Sequence, residues 1–122
     1  EELEDMVKTY VSKAGFSDKI KMHIGNALKI VPSIHEGWDL VFIDADKENY
    51  SNYFDLVIDR VRKGGYIIAD NVLWSGKVVE DASAKDEETR ALKEFNEKVH
   101  RDERVENVLF PVRDGLMVCR KR

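Results

Sequence analysis

Two carboxylates, an amide and a lysine stand at positions from which they could work together. Asp44 closes the continuous apolar run Leu40-Val41-Phe42-Ile43, and Asp70-Asn71 closes a second run, Tyr66-Ile67-Ile68-Ala69. Such runs mark strands buried on both faces, as in a parallel sheet. Between them Tyr50, Tyr53, Phe54, Val57, Ile58 and Val61 repeat with the helical period, which Gly64-Gly65 ends. Strand, helix and strand within about 30 residues make a βαβ unit whose two strands are parallel neighbours. Their acidic ends then meet at one edge of the sheet, where α/β proteins build their sites. Two carboxylates and an amide oxygen form an all-oxygen set suited to Mg²⁺, Ca²⁺ or Mn²⁺. The same residues would equally serve as a helix cap at Asp44 and a turn at Asp70-Asn71.

Lys47 lies three residues past Asp44, at the entrance of the helix. A lysine held beside a dication and shielded from water gives up its proton more easily, which a general base requires. The alternative is an ordinary surface lysine. Asp46 could take hydrogen bonds from a ligand or cap the helix. His23, His35 and His100 have no second histidine at metal-ligand spacing and are read as structural or surface residues.

These residues need a scaffold to hold them, and the rest of the chain supplies an α/β pattern. Leu3, Met6, Val7, Tyr10, Val11 and Ala14 trace an amphipathic helix stopped by Gly15. Lys19 to Ile24 alternates strictly and predicts a half-covered strand. Gly25-Asn26 turns the chain into a short helix from Ala27, limited by Pro32 and Gly37. A long connection from Asn71 to about Lys85 has the length of a functional loop. A helix with Ala91, Leu92, Phe95 and Val99 on its core side follows. Val105–Val112 and Leu116–Arg120 then read as a hairpin joined at Asp114-Gly115. The reading is one domain over residues 1–122, α/β and doubly wound.

Composition narrows the class of function. A net charge of −4 gives nucleic-acid binding no electrostatic support. No apolar run nears the roughly 20 residues of a membrane span. One cysteine, Cys119, excludes an internal disulfide framework, and its apolar surroundings predict a buried thiol. Glu1-Glu2-Leu3 shows no basic-then-apolar leader pattern, and the single cysteine fits a reducing compartment, so the expected location is cytoplasmic. The seven glycines include no G-x-G, the turn that usually follows the first strand of a nucleotide-binding domain. The first strands and that Gly-rich turn are therefore expected to be absent from this chain, which reads as the C-terminal portion of such a domain.

Phe42-Ile43-Asp44-Ala45-Asp46-Lys47-Glu48-Asn49-Tyr50 resembles the F-x-D-A-D-K-x-x-Y segment of the caffeoyl-CoA and catechol O-methyltransferases. Gly64-Gly65-Tyr66-Ile67-Ile68-Ala69-Asp70-Asn71-Val72-Leu73-Trp74-Ser75-Gly76 resembles their G-G-x-x-x-x-D-N-x-L-W-x-G segment, and Asp114-Gly115-Leu116 their closing D-G-L hairpin. The resemblance covers nearly the whole chain. It implies a Rossmann-like S-adenosylmethionine methyltransferase fold, a mostly parallel sheet with a C-terminal antiparallel hairpin. It also implies a divalent cation, Mg²⁺ first and Ca²⁺ or Mn²⁺ as alternatives, held by Asp44, Asp70 and Asn71. Lys47 corresponds to the family's general base. Gly25, Asn26, Ala27, Asp44, Ala45 and Asp46 fall on cofactor-binding positions, and Lys47, Asn71, Trp74 and Ser75 on acceptor positions.

The implied reaction is methyl transfer from S-adenosylmethionine to a catechol-like hydroxyl of a small aromatic molecule, in a protein that is a homodimer at full length. Plant members carry Asn where this chain has Ser75, so the resemblance does not extend to plant-type substrate preference. The family's sheet order places the missing strands between residues 19–24 and 40–44, which predicts a gap there, and the missing Gly-rich turn predicts weak or no cofactor binding by these residues alone. Two other readings compete. One is a non-catalytic α/β binding domain that keeps the half-fold. The other is a receiver-like module, disfavoured because the acids follow middle strands and Lys47 follows Asp44 directly.

Overall fold

The computed structural model describes residues 3–80 and 86–122. Its centre is a four-stranded sheet in the order β1-β2-β4-β3. Strands β1 (Trp38–Ile43) and β2 (Val61–Asp70) run parallel, joined through helix α3 (Tyr50–Ile58). Strands β3 (Val105–Phe110) and β4 (Leu116–Lys121) form an antiparallel hairpin, and β4 pairs with β2. The βαβ unit and the terminal hairpin are those expected from the sequence. The junctions are tighter: α3 stops at Ile58, and β2 already begins at Val61 rather than after Gly64-Gly65. Gly65 is needed for a different reason, since a Cβ there would stand 2.8 Å from the Asp39 carbonyl on the neighbouring strand.

Helix α4 (Glu87–Arg101) lies with α3 on one face of the sheet. The Asp86 carboxylate accepts from Thr89 N–H at 3.1 Å and caps its start. Leu92, Phe95 and Val99 enter a core with Tyr50, Phe54, Ile58, Ile67 and Ala69. Phe95 meets Tyr50 edge-on at 5.5 Å and Phe54 at 6.3 Å between ring centroids. Alternation along the strands sends Val41, Ile43, Ile67, Met117 and Cys119 into this core. Their neighbours Leu40, Phe42, Tyr66, Val108 and Phe110 are exposed on the opposite face, Leu40 and Phe42 at 55% each.

Helix α1 (Glu4–Lys13) forms as its periodicity requires, and Gly15 follows it with φ +74°. It buries none of its residues. The strand expected at 19–24 is not formed: the described backbone there is irregular, and Ile20, Met22 and Ile24 are exposed. The alternating pattern is present, but a strand exists only by pairing, and none of the sheet's strands pairs with this segment. Helix α2 (Ala27–Ile30) runs into a 3₁₀ turn at Val31–Ser33. That region is tied down by Arg60, whose guanidinium donates to the carbonyls of Val31 (3.0 Å), Pro32 (3.0 Å) and Ile34 and lies 5.7 Å from the Trp38 ring centroid.

Cys119 is buried as expected, and desolvation pushes its thiol up to about 12. The fold thus favours the thiol over the thiolate. Its contribution is complete below the unfolded value near 9 and is lost as the pH rises from there toward 12. Alkylation by iodoacetamide at pH 8.5 is expected to be slower in the folded chain by about 100-fold than in urea, tracking opening of the core. Mass spectrometry of quenched samples checks this, and equal rates would contradict it.

Candidate functional site

The parallel pairing of β1 with β2 places Ile43 opposite Ala69, so Asp44 and Asp70 leave the sheet side by side. Beyond β2 the chain turns sharply. Asn71 takes φ +59°, a left-handed conformation that asparagine tolerates, and its N–H donates to Asp70 Oδ1 at 2.7 Å. Trp74 (φ +50°) and Ser75 (φ +55°) adopt the same region within a 3₁₀ segment, Trp74–Val79. Non-glycine residues pay for that conformation, and the surrounding hydrogen bonds impose it. Val72 N–H donates to the Gly115 carbonyl at 3.2 Å, Leu73 N–H to the Asp114 carbonyl at 2.9 Å, and Ser75 N–H to Asp114 Oδ1 at 2.5 Å. The Asp114-Gly115 segment at the end of the hairpin is thus the brace of the Asn71–Ser75 loop. Part of the connection expected up to Lys85 lies outside the described residues.

Lys47 occupies the space between these strand ends and is 6% exposed. The surface-lysine alternative is excluded by that burial. Its Nζ donates to Tyr50 Oη and to Asn71 Oδ1 at 3.2 Å, and it pairs with Asp44 Oδ1 at 3.5 Å. The Tyr50 ring centroid lies 4.5 Å from Nζ and that of Trp74 5.8 Å. The 3₁₀ turn Lys47–Asn49 begins at Asp46 with no side-chain cap, so Asp44 is not spent on capping. Tyr50 is wholly buried; burial pushes its hydroxyl upward while the Lys47 hydrogen bond opposes this.

Asp46 faces a second region. Its Oδ1 accepts from Tyr53 Oη at 2.5 Å and its Oδ2 from Asn49 Nδ2, and these bonds hold its carboxyl below the usual range. The Tyr53 hydroxyl is pushed up to about 12 by desolvation and by this carboxylate. Tyr53 also forms part of the wall of a largely apolar cavity of about 200 Å³, together with Ala27, Val31, Phe42, Asp44 and Ala45. Of the turn expected to meet a cofactor, Ala27 reaches this cavity. Gly25 and Asn26 shape its approach instead: Gly25 takes φ +139°, and Asn26 Oδ1 caps α2 by accepting from Leu28 N–H at 2.9 Å.

The structure thus brings Asp44, Lys47, Asn71 and Trp74 together with Asp70 beside Asn71, while Ala45 and Ala27 line the adjoining cavity and Asp46 stands behind its Tyr53 wall. Ser75 is exposed and held only through its backbone. Among the described residues no group of three or more His, Cys, Asp or Glu side chains converges on a metal-sized space. The available hard donors are two carboxylates and one amide oxygen, a set whose chemistry suits a divalent cation. Sequence reasoning placed Tyr50 and Tyr53 on the helix as apolar-periodic positions and missed their hydroxyls. The signal was there: Lys47 and Tyr50 are spaced i, i+3, and Asp46, Asn49 and Tyr53 i, i+3, i+7 on one helical face.

This α/β arrangement, a parallel pair extended by an antiparallel hairpin, matches the fold of solved O-methyltransferases. The whole chain, residues 1–122, matches the O-methyltransferase family model, and the chain belongs to that family. Caffeoyl-CoA O-methyltransferase 5 of Nicotiana tabacum is 37% identical across 91% of this chain and 51% of its own length. Tricin synthase 2 of Oryza sativa subsp. japonica is 38% identical across 96% of this chain and 44% of its own. The crystal structure of an O-methyltransferase from Bacillus cereus in complex with SAH superposes with a TM-score of 0.89 at 27% identity, covering all of this chain and 59% of that one. The chain therefore spans about half the length of the curated relatives it matches. No helix of the described residues is long and apolar enough to cross a membrane.

The brace of the loop can be weakened at one atom. Gly115 takes φ +84°, and a Cβ there would stand 2.5 Å from Leu73 Cγ. Gly115→Ala is expected to lower stability by about 2 kcal/mol, against about 1 kcal/mol for Gly15→Ala, where a Cβ would meet nothing within 4 Å. Urea unfolding of both variants makes the comparison, and equal losses would show that Leu73 yields freely.

Proposed function

We propose that these residues form the acceptor-side portion of an S-adenosylmethionine- and divalent-cation-dependent O-methyltransferase that methylates a catechol-like hydroxyl of a small aromatic molecule. The observation that carries the reading is the buried Lys47 ammonium set between Asp44, Asn71 and Trp74 at the paired ends of β1 and β2. Asp44, Asp70 and Asn71 would hold the cation, whose charge lowers the cost of removing a proton from a bound hydroxyl. S-adenosylmethionine supplies the methyl group as an electrophile bound to sulfur. Lys47 Nζ, after releasing its own proton to solvent, takes the proton of the acceptor hydroxyl as a neutral amine, leaving that oxygen free to attack the methyl carbon as the thioether departs. Trp74 gives the aromatic acceptor a flat wall, and its strained loop keeps that wall at the strand ends. Ala27, Ala45 and Asp46 would meet the methyl donor at the apolar cavity, and Ser75 the far side of the acceptor.

Much of the donor's binding surface belongs, on this reading, to sequence outside these 122 residues. The full-length protein is then a homodimeric, cytoplasmic enzyme with no nucleic-acid or membrane partner. Caffeoyl-CoA, the acceptor in the names of several relatives, and free catechol are the first acceptors to try. The full-length protein is expected to transfer radiolabelled methyl to one of these vicinal diols when Mg²⁺, Mn²⁺ or Ca²⁺ is supplied. Lys47→Met and Asp44→Ala should each lower kcat by about 100-fold or more. Unchanged turnover in EDTA would sink the cation's part in the reaction. Failure of S-adenosylmethionine to methylate any vicinal diol would sink the reaction itself.

A further inference from the structure

Lys47 has three oxygen partners, and they do not have equal standing. Asp44 Oδ1 and Asn71 Oδ1 belong to residues proposed above to hold the cation, which would compete with the lysine for both. Tyr50 Oη does not. This hydroxyl accepts from Lys47 Nζ and donates to the Asp70 backbone carbonyl at 2.9 Å, so it is satisfied on both sides within the fold. The ring beneath it cannot drift. Tyr50 is fully buried, its ring stacks edge-on against Phe95 of α4, and its backbone starts α3. The Tyr50 hydroxyl therefore links three things: the lysine, the main chain of Asp70 and the core between α3 and α4.

We propose that Tyr50 is the positioning residue of this site, holding Lys47 Nζ in register with the β2 strand end through the hydrogen-bond chain Lys47 Nζ to Tyr50 Oη to Asp70 carbonyl. Lysine carries four freely rotating side-chain bonds, and a base acts only within hydrogen-bond reach of the proton it removes. The tyrosine removes that freedom without touching the acceptor. The inference rests on the proposed role of Lys47 and goes beyond it by naming what keeps the amine in place when its other two acceptors are engaged elsewhere.

Tyr50→Phe tests it, because the ring and its packing on Phe95 remain and the hydroxyl alone is lost. In the full-length protein, with catechol or caffeoyl-CoA as acceptor and Mg²⁺ present, kcat is expected to fall about tenfold, with KM for acceptor and affinity for S-adenosylhomocysteine within about twofold. In a Lys47→Met background the same change should have no further effect on kcat, since there is no amine left to position. A second readout needs no turnover. In ¹⁵N-lysine-labelled protein the Lys47 ammonium signal, assigned by its loss in Lys47→Met, should be visible through slow hydrogen exchange and broaden in Tyr50→Phe. An unchanged kcat and an unchanged signal in Tyr50→Phe would overturn the proposal, as would an equal loss of kcat in both backgrounds. Wild-type kcat in Lys47→Met would overturn the role of Lys47 itself, a failure recognisable as different because it appears with Tyr50 intact.

Discussion

Everything at the candidate site depends on keeping one ammonium group away from water. An unpaired buried charge costs several kcal/mol, so Lys47 can sit at 6% exposure only if its donors are met inside the protein. They are met by three oxygens from three places: the end of β1, the first residue of α3 and the turn after β2. Those places converge because β1 and β2 pair in parallel with Ile43 opposite Ala69. A slip of one residue in that register would send the carboxylates to opposite faces and leave the lysine with an incomplete shell. The core packing of Tyr50 and Phe54 on Phe95 fixes α3 over the sheet, and through it the height of Lys47 at the sheet edge.

The same constraint explains the strained turn. Asn71 can present Oδ1 to Lys47 only because the chain reverses immediately after β2, and the reversal takes Asn71, Trp74 and Ser75 into left-handed backbone conformations. Strain of that kind persists where neighbouring structure over-determines it. Here the determinant is the hairpin, since Asp114 and Gly115 accept from Val72, Leu73 and Ser75. The two antiparallel strands at the end of the chain thus contribute nothing to the site's chemistry and much to its geometry.

The parts legible in the sequence are those written in local pattern. Apolar runs ending in acids gave β1, β2 and the meeting of Asp44 with Asp70, and the helical repeat gave α3 and α4. What sequence could not supply is the choice between outcomes that share one pattern. Lys47 has the look of a surface residue until the fold shows which oxygens surround it. Tyr50 and Tyr53 satisfy a core periodicity with their rings and a polar network with their hydroxyls, and a hydrophobicity pattern records only the first. Lys19–Ile24 alternates as a strand should, yet a strand's stability lies in its neighbours, which a single segment does not encode.

That last point bears on the whole molecule. Parallel sheets are stable when both faces are covered and their inner edges are paired. In the described residues α3 and α4 cover one face, while Leu40, Phe42, Tyr66, Val108 and Phe110 remain exposed on the other and β1 stands as an unpaired edge. The unformed strand at 19–24 and helix α1 are likewise left without a closed core: Val7 and Val11 meet Ile20 and Met22 around a shared pocket, yet no residue of α1 is fully buried. The covered half is where the buried lysine, the paired acids and the braced loop are found. Site geometry and packing completeness therefore coincide, because a desolvated ammonium can be held only where the core behind it is already closed.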